Sequence, residues 1–280
     1  VKQRIISALI LAPLVILGIF FLPFTAFTVA LLSIIGIGFW EWTQFVPGEN
    51  RWVKLAPLVL GLGVTFVAIP FDSSSLALFT QPTFTMTLVG VTWWLIASLL
   101  AITYPNSTRF WSDSRFFRYL FGVLTLVPFF WSILVLRAIN IDIEPFYGAK
   151  LVMFVCLLVW TADSGAYFAG KRFGKHKMAP SVSPNKTIEG LVGGIIAAGA
   201  IGLIAAAWFD IHFTNLFSAL VIIASTVIIS VLGDLVESMF KRASNIKDSG
   251  TIIPGHGGIL DRIDSLTAAF PVFTLLYFLL

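Results

Sequence analysis

In VLGDLVESMFKR, Asp234, Glu237 or Ser238, and Lys241 recur at intervals of three and four residues. That spacing puts them on one face of an α-helix. A carboxylate followed by a lysine two turns on suits a place where a metal ion and a phosphate meet. The next segment, SGTIIPGHGG, is rich in glycine, and Gly255, Gly257 and Gly258 permit positive φ and close backbone approach. It delivers GGILDRIDSL, in which Asp261 and Asp264 stand three residues apart on one helical face. With Asp234 they make an all-oxygen set suited to Mg²⁺, a hard cation that keeps water and takes phosphate oxygens. Arg262, between the two aspartates, points elsewhere on the helix, to a headgroup, a phosphate or an ion-pair partner.

A second segment, WTADSGAYFAGKRFGKHKMAPSVSPNKTIEG, brings Asp163 and, about one turn on, Tyr167, then Lys171, Arg172, Lys175 and Lys177. Its SPNKT precedes a helix start that Ser183 or Thr187 can cap; the positive helix end and Lys186 together make an anion site. It lacks the glycines of a Walker A loop, and an ordinary helix cap accounts for it equally well. No Cys and His set for zinc is present, and no serine has an evident His and Asp partner. His256 sits in the glycine loop, His176 in the basic run and His212 elsewhere.

What must position these residues follows from composition. The 280 residues are 58% hydrophobic and only 11% charged, where a soluble domain carries about 25% charged residues. A helical span needs about 20 apolar residues to cross roughly 30 Å of hydrocarbon. Runs of that kind lie near residues 4–22, 24–45, 53–71, 86–103, 118–138, 150–169, 189–208, 214–233 and 265–280. The expectation is an all-α, polytopic integral membrane protein of about nine transmembrane helices, one catalytic domain over residues 1–280. The first span, with no small-residue cleavage site after VKQRIISALI, reads as a retained helix. The short link at Leu22 to Thr25 also allows the first two to form a re-entrant hairpin.

Lysine and arginine in short loops stay on the cytoplasmic side. Alternate connections hold sixteen of the basic residues, and the other side holds only Arg137 and Lys150. That places the N-terminus and both chemical segments in the cytoplasm. The net charge of +4 therefore belongs to topology and to anionic headgroups or phosphates, with no nucleic-acid partner implied. Intramembrane carboxylates are costly unless paired, hydrated or bound to a cation. For Glu41, inside FWEW, helix capping or a salt bridge is as good an account as a place in the site. Cys156, the lone cysteine, reads as a packing residue.

The stretch SMFKRASNIKDSGTIIPGHGGILDRID, Ser238 to Asp264, resembles the signature of the phosphatidate cytidylyltransferases, or CDP-diacylglycerol synthases. WTADSGAYFAGK and SPNKTIEG are also similar to segments of that family, and so is the polytopic plan. The resemblance implies that CTP and phosphatidic acid give CDP-diacylglycerol and pyrophosphate, with Mg²⁺ required, in phospholipid synthesis. It also implies a homodimer in the cell (inner) membrane, the active site facing the cytoplasm. Residue chemistry agrees with it. A phosphatidate oxygen is already ionised, so attack on a phosphorus needs positioning and charge neutralisation more than a strong base. On this reading Asp234, Asp261 and Asp264 bind the cation, or two cations sharing carboxylates. Lys186, Lys241, Arg242 and Lys247 hold phosphates, aided by Ser183 and Arg262, with His256 and the Gly257 and Gly258 amides near the leaving group. Asp163 and Asp248 are further choices, each for binding cation or orienting a lysine. A cation-coupled transporter and a CTP-using lipid kinase are the rival classes. Charge gathered on one side speaks against the first, and only the long signature separates the second.

Overall fold

The computed structural model describes residues 2–48, 50–255 and 257–280, with side chains from residue 9 onward. The chain forms α1 (Lys2–Phe21), α2 (Phe24–Trp42), α3 (Arg51–Ala68), the short α4 (Ser73–Ala77), α5 (Gln81–Ile102) and, after a 3-10 turn, α6 (Arg115–Ala138). There follow α7 (Tyr147–Phe173), a hairpin of β1 (Lys177–Ala179) and β2 (Ser183–Thr187), α8 (Ile188–Phe209), α9 (Leu216–Ala243) and α10 (Leu260–Leu279). Each expected span coincides with one long helix. Among the described residues eight helices, α2, α3 and α5 to α10, are long and apolar enough to cross a membrane; in α1 the described apolar stretch is Leu9–Phe21. The chain is thus an all-α polytopic membrane protein.

Two sets of contacts define the ends of the bundle. At one end Trp42, closing α2, donates to the Arg118 carbonyl at 2.8 Å, and Arg118, opening α6, donates to Ser244 Oγ past α9 at 2.7 Å. Trp42, Phe45, Trp111 and Phe240 meet there edge to face, Trp42 and Phe240 at 5.0 Å and Trp111 and Phe240 at 5.3 Å, a geometry that adds to burial. At the other end Tyr147 and Tyr277 share a hydrogen bond of 2.6 Å, and Phe79 stacks on Phe278 at 4.1 Å. The long helices therefore alternate in direction. Every basic side chain described lies at the first end except Arg137 and Lys150, which is the division that the loop charges imply. The Lys2 and Arg4 side chains lie outside the described ones.

The helix α6 forms the centre, buried at every residue from Thr125 to Ala138, as expected of a helix apolar all round. Small residues bring the remaining helices close. A Cβ at Gly165 of α7 would stand 2.6 Å from Ala197 Cβ of α8, and one at Gly233 of α9 would stand 2.8 Å from Ala268 Cβ of α10. Gly233 immediately precedes Asp234. The close α9–α10 contact it permits sets the α10 carboxylates against those of α9.

The structure differs from the sequence expectation in one local element. Residues 177–187, expected as a basic loop leading into a helix cap, form an antiparallel hairpin with Lys177 opposite Thr187 and Ala179 opposite Ser183. It is a short two-stranded piece with an alternation too brief to stand out among lysines. Of the two expected caps, Thr187 takes the role, its Oγ1 accepting from Gly190 N at 3.1 Å.

Candidate active site

The helix α9 is 28 residues long, about 42 Å at 1.5 Å per residue. That exceeds the roughly 30 Å of hydrocarbon by about two turns, so the end carrying Asp234, Glu237, Ser238 and Lys241 is free to stand at the membrane edge. The expected face forms. Lys186 Nζ, from the hairpin, pairs with Asp234 Oδ2 at 2.6 Å, and Ser238 Oγ donates to Asp234 Oδ1 at 3.3 Å. Lys186 also donates to the Val231 carbonyl at 3.1 Å, which seats the hairpin on α9. Around this pair opens a cleft of about 350 Å³, lined by Asp163, Tyr167, Ser183, Asn185, Lys186 and Asp234 among others. The two expected segments, one before α8 and one ending α9, meet across it. Arg262 and Lys186 lie within electrostatic reach of Asp163, and Asp234 and Lys186 of Asp264.

One turn beyond Asp234 the carboxylates draw together. Glu237 is buried; its Oε2 takes Lys241 Nζ at 3.3 Å, and its Oε1 receives no donor among the described residues. Its carboxyl lies within hydrogen-bonding reach of that of Asp264. Two carboxyl groups this close repel unless a proton or a cation lies between them. Sequence reasoning left Glu237 as an alternative to Ser238 and out of the site; its burial among carboxylates is a tertiary fact.

Asp261 has a different setting. Oδ1 takes Lys241 Nζ at 2.7 Å, while Oδ2 takes Ser249 N at 2.8 Å, Ser249 Oγ at 2.9 Å and Gly258 N at 2.8 Å. The carboxylate thus fastens the glycine loop to α9. Gly257 holds φ at +84°, and a Cβ on it would stand 2.6 Å from Asp261 Oδ2, so glycine is required on both counts. The Gly258 amide, expected near a leaving group, faces Asp261 instead, because the start of α10 turns it inward. Lys241, expected on a phosphate, lies between Glu237 and Asp261. Arg242 Nε donates to the Val182 carbonyl in the hairpin turn at 3.3 Å. Lys247 and Asp248 are exposed on the loop, Asp248 with its Cβ 3.5 Å from where a Gly257 side chain would begin. His256 lies outside the described residues.

Glu41 reaches this assembly from α2. Its carboxylate accepts Ile259 N at 3.0 Å, Leu260 N at 2.8 Å and Ser249 Oγ at 3.2 Å. It is a helix cap supplied from 218 residues away. A charge inside FWEW was the sequence signal for it, and the pairing partner was not legible there.

Five carboxyl groups (Asp163, Asp234, Glu237, Asp261 and Asp264) thus stand among Lys186, Lys241 and Arg262, more oxygen donors than the neighbouring cations engage. Among the described residues no three acidic, His or Cys side chains converge closely enough to hold a metal ion unaided. Mg²⁺ is usually bound through one or two carboxylates and the phosphates of a substrate. An oxygen donor set of this kind, incomplete without phosphate, fits that ion.

Residues 2–280 match the model of the cytidylyltransferase family. The chain is 43% identical to the phosphatidate cytidylyltransferase of Haemophilus influenzae, over 99% of this chain and 98% of the relative. It is 40% identical to that of Pseudomonas aeruginosa, over 98% of this chain and 96% of the relative. With the Bacillus subtilis protein of the same name it shares 47% identity over 48% of each.

Proposed function

We propose, from the premise that the chain belongs to the cytidylyltransferase family, that CTP and phosphatidate meet at the cleft between α7, the hairpin and α9. The chain is a phosphatidate cytidylyltransferase, a nucleotidyltransferase that makes CDP-diacylglycerol and pyrophosphate. The observation that carries the siting is the Lys186–Asp234 pair in the wall of a cleft that Asp163 and Ser183 also line.

A phosphatidate oxygen attacks the α-phosphorus of CTP; one P–O bond forms, the bond to the β-phosphate bridging oxygen breaks, and pyrophosphate leaves with the electron pair. No base need remove a proton from an ionised phosphate, so the residues act by orientation and charge. Lys186 presents an ammonium to a phosphate entering the cleft, and exchanging Asp234 for that phosphate frees the carboxylate. Asp234 and Asp264 would hold Mg²⁺ together with the phosphates of the substrate, with Asp163 beside them on the facing helix. When bound, the ion would neutralise phosphate charge as it builds on the leaving group. Exposed Lys247 and Arg242 draw the anionic nucleotide to the same end, and Ser183 and Arg262 complete the phosphate contacts. Asp261 and Lys241 frame the glycine loop beside the site, with Asp248, Gly257 and Gly258 in it.

The proposal includes the inner membrane as location, the cytoplasm as the side from which CTP enters, and a homodimer as the working state. Loop charge supports the orientation; mass measurement of the detergent-solubilised protein tests the dimer. The deciding experiment supplies purified protein with phosphatidic acid, Mg²⁺ and CTP labelled in the α-phosphate. Label entering the lipid with equal pyrophosphate release is expected. Transfer from the γ-phosphate alone would mean a kinase and overturn the reading. Asp234→Asn abolishing transfer in folded protein would support the siting.

A further inference from the structure

We propose that Glu41, in the second helix and far in sequence from every other site residue, is a positioning residue for nucleotidyl transfer. This rests on the reading that the α10 carboxylates serve the reaction.

The first turn of α10 has amides that its own N-cap side chain cannot receive: Ile259 stands at the N-cap position and offers no acceptor. Unpaired buried amides are costly. Glu41 supplies the missing acceptors from another helix, with Oε1 on Ile259 N and Oε2 on Leu260 N. Its charge also suits the positive end of a helix. Glu41 is itself buried, 1% exposed, so its acceptors lie within the protein rather than at its surface.

The second link runs through Ser249. Its hydroxyl lies 3.2 Å from Glu41 Oε2 and 2.9 Å from Asp261 Oδ2, while Asp261 N donates back to it at 3.3 Å. Glu41 and Asp261 therefore grip the same serine from two sides. Gln44, one turn past Glu41, donates to the Ser249 carbonyl. Two glycines leave the room: a Cβ at Gly258 would stand 2.5 Å from both Glu41 oxygens, and one at Gly250 would also strike Oε1. The chain thus empties two positions to admit one carboxylate. What Glu41 fixes is the first turn of α10, and that turn sets the direction in which Asp261 and Asp264 project.

Glu41→Gln and Glu41→Ala, purified in detergent, test the inference beside Asp264→Asn. Hydrogen exchange of the peptide spanning residues 257–262, measured without nucleotide or Mg²⁺, should speed up in both Glu41 variants. Glutamine keeps one acceptor oxygen, so it should fall between wild type and alanine. A fall in kcat of roughly 10–100-fold is expected, the range for a residue that orients ligating groups. The Mg²⁺ concentration for half-maximal rate should rise, and the KM for phosphatidate should stay near wild type. A merely structural cap would lower the folded fraction and leave the kcat and Mg²⁺ dependence of the folded protein alone. If Glu41→Ala does not fold, Glu41→Gln decides the matter. Wild-type exchange, or wild-type kcat and Mg²⁺ dependence in folded variants, overturns the inference while Asp264→Asn is inactive. A fully active Asp264→Asn would overturn the reading of the site, and the inference with it.

Discussion

Replacing Lys241 by methionine separates two roles that its sequence position leaves open. As a phosphate ligand it would be free to meet solvent. Its ammonium instead lies 2.7 Å from Asp261 and 3.3 Å from Glu237, with side-chain exposures of 14% for the lysine and 5% and 7% for the carboxylates. Removing one partner of a buried ion pair costs about 3–5 kcal/mol, since the remaining charge is left without compensation. Here two carboxylates lose their common cation, so the upper part of that range is expected. On a chain of this size such a loss lowers the unfolding midpoint by on the order of 10 °C. The assay can use the chain's own thiol: Cys156 is the only cysteine and is buried, so a thiol-reactive dye reports its exposure on unfolding. A second substitution, Glu237→Gln, removes one of the orphaned charges and should restore part of the loss in the Lys241→Met background. An unshifted midpoint together with a raised KM for CTP would place Lys241 on the nucleotide and refute the reasoning.

Three further outcomes follow from the same geometry. Gly258→Ala should lose both stability and activity, since its methyl group would meet the Glu41 carboxylate at 2.5 Å; thermal unfolding and label transfer read the two effects. Lys186→Met should impair transfer more than folding, because the Lys186 and Asp234 side chains face an open cleft and at 21% and 31% are more exposed than the Lys241 pairs; an unfolding midpoint that falls as far as in Lys241→Met would contradict this. Thr187→Ala should cost about 1 kcal/mol of stability through loss of the α8 cap, with the hairpin still formed by circular dichroism and transfer reduced less than in Lys186→Met.

The membrane architecture was legible because its physics is local. A run of apolar residues long enough to span states the helix, and lysine and arginine at alternate ends state which helix ends lie together. The α9 face carrying Asp234, Glu237 and Lys241 was legible for the same reason, as a period of three and four within one helix. The hairpin escaped because two strands of three and five residues carry almost no alternation to read. The direction in which the glycine-loop groups face escaped for another reason. Asp261 and the Gly258 amide have the residue types of a phosphate site, and sequence gives types without stating which groups satisfy one another.

The partnership of Glu41 and α10 shows where that boundary lies. A carboxylate among tryptophans announces that something must compensate it. Ile259 at a helix start without a cap announces, separately, that some acceptor is missing. The first anomaly is visible in sequence and the second only once the start of α10 is known, and each has several possible remedies. Only folding brings the two together, across 218 residues, and makes one the answer to the other. The consequence for the proposed site is that its signature segment is not self-sufficient: that segment carries the charged groups, while a residue of the second helix holds the turn from which they project.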